Sequence, residues 1–175
     1  MGDRAGNFAV QNSDLVIAVG NRLPIRVVGY NWKTWAREAE VIMVDIDPAE
    51  MKKPTIHVDM PIHADAKDFF EALIRNIPSR KDYFFENDEW RKSCLEWKEK
   101  YPVVLPKHKE ENDGFANAYA SFDYISRKLP TNSLTVTSNG TCCVAGHQTW
   151  FIKNGSRFFN NNAIASMGYG LPASI

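Results

Sequence analysis

Apolar residues in the first part of the chain fall into short continuous runs that end at polar residues or glycine. The runs cover residues 15–19, 41–44 and, more weakly, 55–58, and the first two are followed by Gly20 and Asp45. Runs of this length with polar carboxyl ends are typical of parallel strands that are buried on both faces. The pattern therefore predicts three parallel strands.

The segments around these strands predict helices. Residues 32–39 are a plausible crossover between the first two strands, and Asp65 is a good N-cap for a helix that Pro78 ends. The apolar stripe of that helix consists of Phe69, Phe70, Leu73, Ile74 and Ile77. Residues 1–78 are thus predicted to form part of a doubly wound α/β domain.

Residues 79–112 have a different character, because polar and proline-containing stretches flank one amphipathic helix. Its apolar positions are Trp90, Cys94, Leu95, Trp97 and Tyr101. We interpret this segment as a linker whose two tryptophans are packing residues rather than a ligand site.

A second domain is predicted for residues 113–175. A helix face is formed by Phe115, Ala118, Tyr119, Phe122 and Ile125. A strand at 134–137, a short helix at 144–151, a turn at 154–155 and a strand at 157–159 follow, and the glycine-rich segment 166–172 opens a last helix. The predicted fold is α/β, with two partial doubly wound parallel-sheet domains joined by a helical linker.

Charge and cysteine content narrow the class of protein. The 21 basic and 21 acidic residues balance, which argues against nucleic acid or a membrane surface as a partner. No apolar run reaches the roughly 18–20 residues of a membrane span, and no signal peptide is visible. Cys94, Cys142 and Cys143 lack the spacing of a zinc site, so reduced thiols in a cytoplasmic protein are the better interpretation.

The predicted strand ends carry the residues from which nucleotide sites are built. Gly20 allows close backbone approach, Arg22 can pair with a diphosphate, and Asp45 and Asp65 can accept from ribose hydroxyls. No Gly-x-Gly-x-x-Gly fingerprint is present, and the two aspartates can equally cap the segments that follow them. Both interpretations stay open.

In the second domain, residues 138–141 lead into a helix whose first N–H groups could hold a phosphate. His147 on this helix is either structural or catalytic. No Ser-His-Asp or Cys-His set is visible, and no pair of carboxylates is convincingly arranged for acid–base chemistry.

Three ordered segments resemble the acetolactate synthase branch of thiamine-diphosphate-dependent enzymes. They are residues 7–20, residues 44–51, and the pair formed by residues 146–150 and 165–173. The resemblance implies that residues 1–78 are the second half of the family's middle domain. Residues 113–175 would then begin the domain that binds the cofactor's diphosphate.

In family members that bind FAD, the resemblance implies contacts at nine positions of this middle domain. These are Gly20, Asn21, Arg22, Leu23, Pro24, Asp45, Ile46, Asp65 and Ala66. The family usually has Arg-Phe-Asp-Asp-Arg where this chain has Arg-Leu-Pro-Ile-Arg at residues 22–26. The loss of both carboxylates leaves open whether FAD binds and whether acetolactate is the product.

For thiamine diphosphate, the resemblance implies Gly146, His147, Ala165, Ser166 and Met167 as binding residues. The family has Gln at the position of Gly146, so only a backbone contact is expected there. Met167 would wedge between the two rings of the cofactor, and the Ala165 carbonyl would accept from its amino group. The alternative for Met167 is a core-filling side chain.

The resemblance also implies what these residues lack, namely the Gly-Asp-Gly…Asn motif for Mg²⁺ and the activating glutamate of a partner subunit. We therefore assign no catalytic or metal-binding residue, expect a truncated sequence, and expect no pyruvate turnover from the 175 residues alone. The implied function of the parent is decarboxylation of a 2-keto acid such as pyruvate and transfer of the two-carbon unit, by a homodimer or homotetramer. The alternatives are a 2-keto-acid decarboxylase or a non-catalytic nucleotide-binding or interaction module.

Overall fold

The computed structural model describes residues 2–77, 89–110 and 113–175, and these form an α/β fold with two compact units. The first unit is Gly2–Tyr101 and the second is Pro102–Ile175. The predicted fold class is confirmed. The predicted domain and linker limits stay predictions, and Pro78, which should end a helix, lies outside the described residues.

The first unit contains a parallel sheet of three strands and the helices that connect them. In chain order the elements are α1 (Arg4–Gln11), β1 (Leu15–Val19), α2 (Ile25–Val28), β2 (Glu40–Asp45), β3 (Met60–His63), α3 (Ala66–Asn76) and α4 (Glu89–Lys100). The strand order is β1-β2-β3, with Val19 opposite Val44 and Asp45 opposite His63. The crossover predicted at 32–39 is only a short 3₁₀ helix, Trp32–Thr34, followed by turns.

The third strand begins at Met60, so the prediction of a strand at 55–58 is wrong. Asp59 starts the pairing, since its N–H donates to the Val41 carbonyl at 3.0 Å and its Oδ2 accepts from the Val41 N–H at 2.8 Å. The apolar residues at 55–58 are core residues rather than strand residues, because Ile56 and Val58 pack against the core.

One face of the sheet carries the core of this unit. Ala18, Val41 and Met43 are buried there against Leu23 and Val28. Side chains alternate along a strand, so the other face of β1 presents Leu15 and Ile17, which are 45% and 48% exposed within the described structure. Burial on both faces was therefore a wrong prediction for β1, whereas it is correct for the central strand β2, whose Val44 is fully buried.

The helices confirm two further predictions. The side chain of Asp65 caps α3 by accepting from the Lys67 N–H at 2.8 Å. The tryptophans of α4 are packing residues, since Trp97 lies 6.0 Å from the Phe8 ring of α1 and 5.8 Å from Trp90.

The second unit contains α5 (Ala118–Lys128), β4 (Leu134–Val136), α6 (Thr141–Thr149) and β5 (Arg157–Phe159). Strands β4 and β5 pair in parallel. Phe115 is 79% exposed and precedes α5, which begins after its cap Asn117, so its assignment to the helix face was wrong. Helix α6 begins at Thr141 rather than at residue 144, because Gly140, with φ of 76°, turns the chain directly into it, and it ends at Thr149 rather than at residue 151. Residues 166–172 lead only into a short 3₁₀ helix, Pro172–Ser174.

Asp59 should make the first unit sensitive to acid. Its hydrogen bond from the Val41 N–H, together with His57, holds the pKa of this carboxyl below its ordinary value. A lowered native pKa contributes stability above the unfolded pKa, and that stability is lost as the pH falls below about 4 toward the native pKa. Asp59→Asn keeps an acceptor for Val41, so in urea titrations from pH 7 to 3 it should reduce the decline in stability. Asp14→Asn, an exposed residue before β1, is the charge-matched control, and an unchanged decline in Asp59→Asn would contradict this role.

Within the described part of the chain, none of the helices has the length and apolar character needed to cross a membrane.

Candidate functional site

The carboxyl ends of β1, β2 and β3 meet at one edge of the first sheet. The Gly20 N–H donates to the Val44 carbonyl at 2.8 Å, and the Ala64 N–H donates to the Asp45 carbonyl at 3.2 Å. Gly20 has φ of 59°, a left-handed conformation that favours glycine, so the chain can turn sharply there. The structure therefore brings the predicted strand-end residues of β1 and β2 together.

Asp45 is the buried polar residue of this edge, with 6% of its surface exposed. Its Oδ1 accepts from the Asp47 N–H at 2.9 Å, while its Oδ2 is buried without a hydrogen-bond partner among the described residues. An unpaired buried carboxylate oxygen is costly, and the described residues leave this hydrogen-bonding capacity of Asp45 unfilled. Asp65 differs, because it is exposed and already caps α3.

Arg22, a cation of this edge, already has an internal partner. Its Nε donates to Glu50 Oε1 at 2.8 Å, and the other oxygen of Glu50 pairs with Lys53 Nζ at 2.7 Å. Hydrogen bonds from Lys53 and Arg22 lower the pKa of Glu50, and the Glu50 partner raises the pKa of Arg22. The Glu50 side chain is only 11% exposed. An incoming phosphate would therefore compete with Glu50 for Arg22.

The remaining predicted residues of this edge differ in accessibility. Leu23 is buried in the core, and Pro24 precedes α2, so neither is a polar side-chain ligand. Asn21 Oδ1 accepts from the Leu23 N–H at 3.3 Å. Ile46 is exposed, its carbonyl lies 2.9 Å from His63 Nε2, and Ala66 is the first residue of α3.

In the second unit, the loop after β4 is bonded to the glycine-rich segment. Asn139 Nδ2 donates to the Ser166 carbonyl at 2.7 Å, and the Gly170 N–H donates to Ser138 Oγ at 3.1 Å. Two buried oxygens of this loop, Thr137 Oγ1 and Asn139 Oδ1, have no hydrogen-bond partner in the described structure. Such oxygens are typical of a site that is completed by a ligand or by ordered water.

Met167 lies on the turn that follows Ser166. Ala165 and Gly168 on either side have φ of 58° and 79°, so the backbone turns sharply around it. The Ala165 N–H donates to the Asn161 carbonyl at 2.8 Å. The Met167 side chain is 95% exposed, so the core-filling alternative is wrong for the described unit.

His147 and Gly146 lie on α6, in different surroundings. Gly146 is buried, and a Cβ on it would come within 2.6 Å of Phe158 Cζ. His147 is exposed, and its Nε2 lies 2.6 Å from Asn160 Nδ2 and 3.2 Å from Asn162 Nδ2.

Sequence reasoning missed the residues that surround the predicted positions. In the first unit these are Glu50 and Lys53, and in the second they are Phe158, Asn160 and Asn162. The run of three asparagines at 160–162 was a signal for the second group, whereas Arg22 and Glu50 are 28 residues apart and no pattern connects them.

Metal ligands do not cluster within the described ranges. Among residues 2–77, 89–110 and 113–175, no three His, Cys, Asp or Glu side chains are arranged to hold a metal ion.

Residues 1–73 match the family model described as the thiamine pyrophosphate enzyme central domain. The whole chain is similar to the acetolactate synthase large subunit of Porphyra purpurea, with 33% identity over 99% of this chain and 28% of that protein. The isozyme 2 large subunit of Escherichia coli K12 is 29% identical over 99% of this chain and 29% of its own length. The resemblance to thiamine-diphosphate enzymes of the acetolactate synthase type is confirmed.

The matched central domain contains the first sheet and its strand-end edge, whereas Met167 and His147 lie beyond it and within the similarity to the large subunits. The chain spans under a third of the length of these relatives.

Proposed function

We propose that this chain is part of a thiamine-diphosphate-dependent carboligase of the acetolactate synthase type. The enzyme would decarboxylate pyruvate or a related 2-keto acid and transfer the two-carbon unit to a second carbonyl, a step toward branched-chain amino acids in the cytoplasm. The observation that carries the proposal is the exposed Met167 on a turn that hydrogen bonds tie to the loop before α6.

The residues of the second unit fit the proposed cofactor. The first N–H groups of α6 and the exposed His147 are suited to phosphate oxygens. Met167 would contact the rings of the cofactor, and Ala165 and Ser166 would contact it through the backbone of the same turn. When bound, thiamine diphosphate supplies the electron sink for decarboxylation. Mg²⁺ would be needed for the cofactor to bind in the whole protein, which we propose to be a homodimer or homotetramer.

The direct test is product analysis with the whole protein that contains this chain. We expect carbon dioxide release from pyruvate that needs both thiamine diphosphate and Mg²⁺, with acetolactate as the coupled product. Acetaldehyde without a coupled product would instead support the plain decarboxylase, and a different coupled product would support a related carboligase. Binding of a nucleotide without any carbon dioxide release would support the non-catalytic alternative and contradict the proposal.

At the edge of the first sheet we propose a weak FAD-type site, in which Asp45 would accept from a ribose hydroxyl and Arg22 would meet the diphosphate. Glu50 competes for Arg22, so Glu50→Gln should raise the affinity for FAD in calorimetric titration by about tenfold, the usual scale for a charge-assisted hydrogen bond. Glu38→Gln is the matched control, since Glu38 is exposed and pairs with Arg37. Equal affinity in the wild type and Glu50→Gln would exclude this competition.

A further inference from the structure

The amide of Asn160 has a defined orientation in the loop after β5. Its Oδ1 accepts from the Asn162 N–H at 3.1 Å, so this atom is the carbonyl oxygen and the other end of the amide is the NH₂ group. That NH₂ group lies 2.6 Å from His147 Nε2. A donor therefore faces Nε2, and the imidazole nitrogen must be the acceptor.

A second amide donor reinforces this arrangement. Asn162 Nδ2 lies 3.2 Å from the same Nε2, and the Phe158 ring packs against the imidazole with centroids 5.8 Å apart and planes at 74°. A hydrogen on Nε2 would face two N–H donors with no acceptor between them. A neutral imidazole whose Nε2 is an acceptor carries its proton on Nδ1.

We propose that Asn160 and Asn162 are positioning residues that hold His147 as the neutral tautomer with its proton on Nδ1. In this form the exposed imidazole offers one N–H donor to an oxyanion of the bound cofactor or substrate, and Nε2 is not available as a base. The role toward a ligand rests on the proposed function, whereas the tautomer does not. The oxyanion is either a phosphate oxygen of the cofactor or the carboxylate of the 2-keto acid.

The chain offers a closely matched pair of variants. Asn160→Asp keeps an oxygen for the Asn162 N–H but turns an acceptor toward His147 Nε2. The neighbouring Asn161→Asp adds the same charge one residue away, at a side chain that bonds Ser166 Oγ rather than His147. The difference between the variants therefore reports the hydrogen bond to His147 and not the added charge.

The tautomer can be read directly from imidazole ¹⁵N shifts and two-bond couplings in the histidine-labelled 175-residue chain at pH 8. We expect the Nδ1–H form in the wild type and in Asn161→Asp, and a proton on Nε2 in Asn160→Asp. A wild type with the proton on Nε2, or an Asn160→Asp variant that keeps the wild-type tautomer, overturns the proposal. Amide spectra of each variant show whether it has folded, and Asn160→Ser, which removes the amide donor, is used if Asn160→Asp does not fold.

Ligand titrations of the same variants, made in the whole protein and with Mg²⁺ present, distinguish the two oxyanions. A shift of the Nδ1 signal with thiamine diphosphate or inorganic pyrophosphate identifies phosphate, and a shift with pyruvate alone identifies the carboxylate. Asn160→Asp should bind the identified ligand about tenfold more weakly than Asn161→Asp, the effect of losing one hydrogen bond to a charged group. No shift with either ligand overturns the donor role. Absence of carbon dioxide release by the whole protein with the Nδ1–H tautomer intact would instead contradict the proposed function.

Discussion

In the proposed carboligase, replacing Met167 by alanine should lower kcat/KM for pyruvate about a hundredfold, the scale of a misplaced reacting group. The side chain is 95% exposed in the described structure, so the substitution removes few packing contacts. The free energy of unfolding should therefore change by no more than about 0.5 kcal/mol, as for ordinary surface positions. A large loss of activity without a loss of stability would mark Met167 as a residue that contacts the cofactor.

Two further variants make this experiment specific. Met167→Leu keeps a large apolar side chain and should retain most of the activity, together with most of the affinity for thiamine diphosphate. Ile164, in the same loop, is 80% exposed. Ile164→Ala therefore removes another exposed apolar side chain, and it should lower kcat/KM less than Met167→Ala does. Full activity in Met167→Ala would remove the main support for a cofactor site on this turn.

Gly146→Ala should destabilise the second unit by about 1–3 kcal/mol, the range for overpacking a well-filled interior. A loss of stability is the opposite of what helix propensity alone predicts, because alanine in a helix is ordinarily favoured over glycine by about 0.8–1 kcal/mol. Here an added Cβ would come within 2.6 Å of Phe158 Cζ and within 3.5 Å of two other ring atoms. We expect the steric clash with the Phe158 ring to cost more free energy than the higher helix propensity of alanine contributes.

A double-mutant cycle with Phe158→Leu tests this cause. The shorter side chain removes the clashing ring tip, so Gly146→Ala should be nearly neutral or stabilising in that background. Urea unfolding followed by fluorescence suits the measurement, since the Trp150 ring lies 5.0 Å from Phe158. Equal costs in the two backgrounds would show that the ring is not responsible.

Elements whose signals are local agree well between sequence and structure. The apolar runs predicted β1 and β2, because a short run bounded by Gly20 or Asp45 suits a strand. Asp65 was predicted as the cap of α3, because the N-cap bond joins residues only two apart. In each case the residues that signal the element lie within the same strand or the same helical turn, so the local sequence is enough to predict it.

Errors arose where a specific hydrogen bond overrode a local pattern. Residues 55–58 have the composition of a strand, but the two hydrogen bonds between Asp59 and Val41 start the pairing later and leave Ile56 and Val58 to the core. Phe115 continues the helical spacing, yet Asn117 caps α5 after it. Such competition between a local pattern and a specific bond is not visible in composition or periodicity.

The α/β class, two of the three parallel strands of the first sheet, the resemblance to the family and the candidate site residues could all be predicted from the amino-acid sequence. Only the tertiary structure showed that Glu50 pairs with Arg22, that the Phe158 ring lies against Gly146, and that the amides of Asn160 and Asn162 lie beside His147 Nε2. These pairs are 12 to 28 residues apart, and each depends on how two strands or a helix and a loop meet. Local propensities act over a few residues, whereas the electrostatics and steric limits of a site depend on which distant side chains packing brings within 3 to 4 Å.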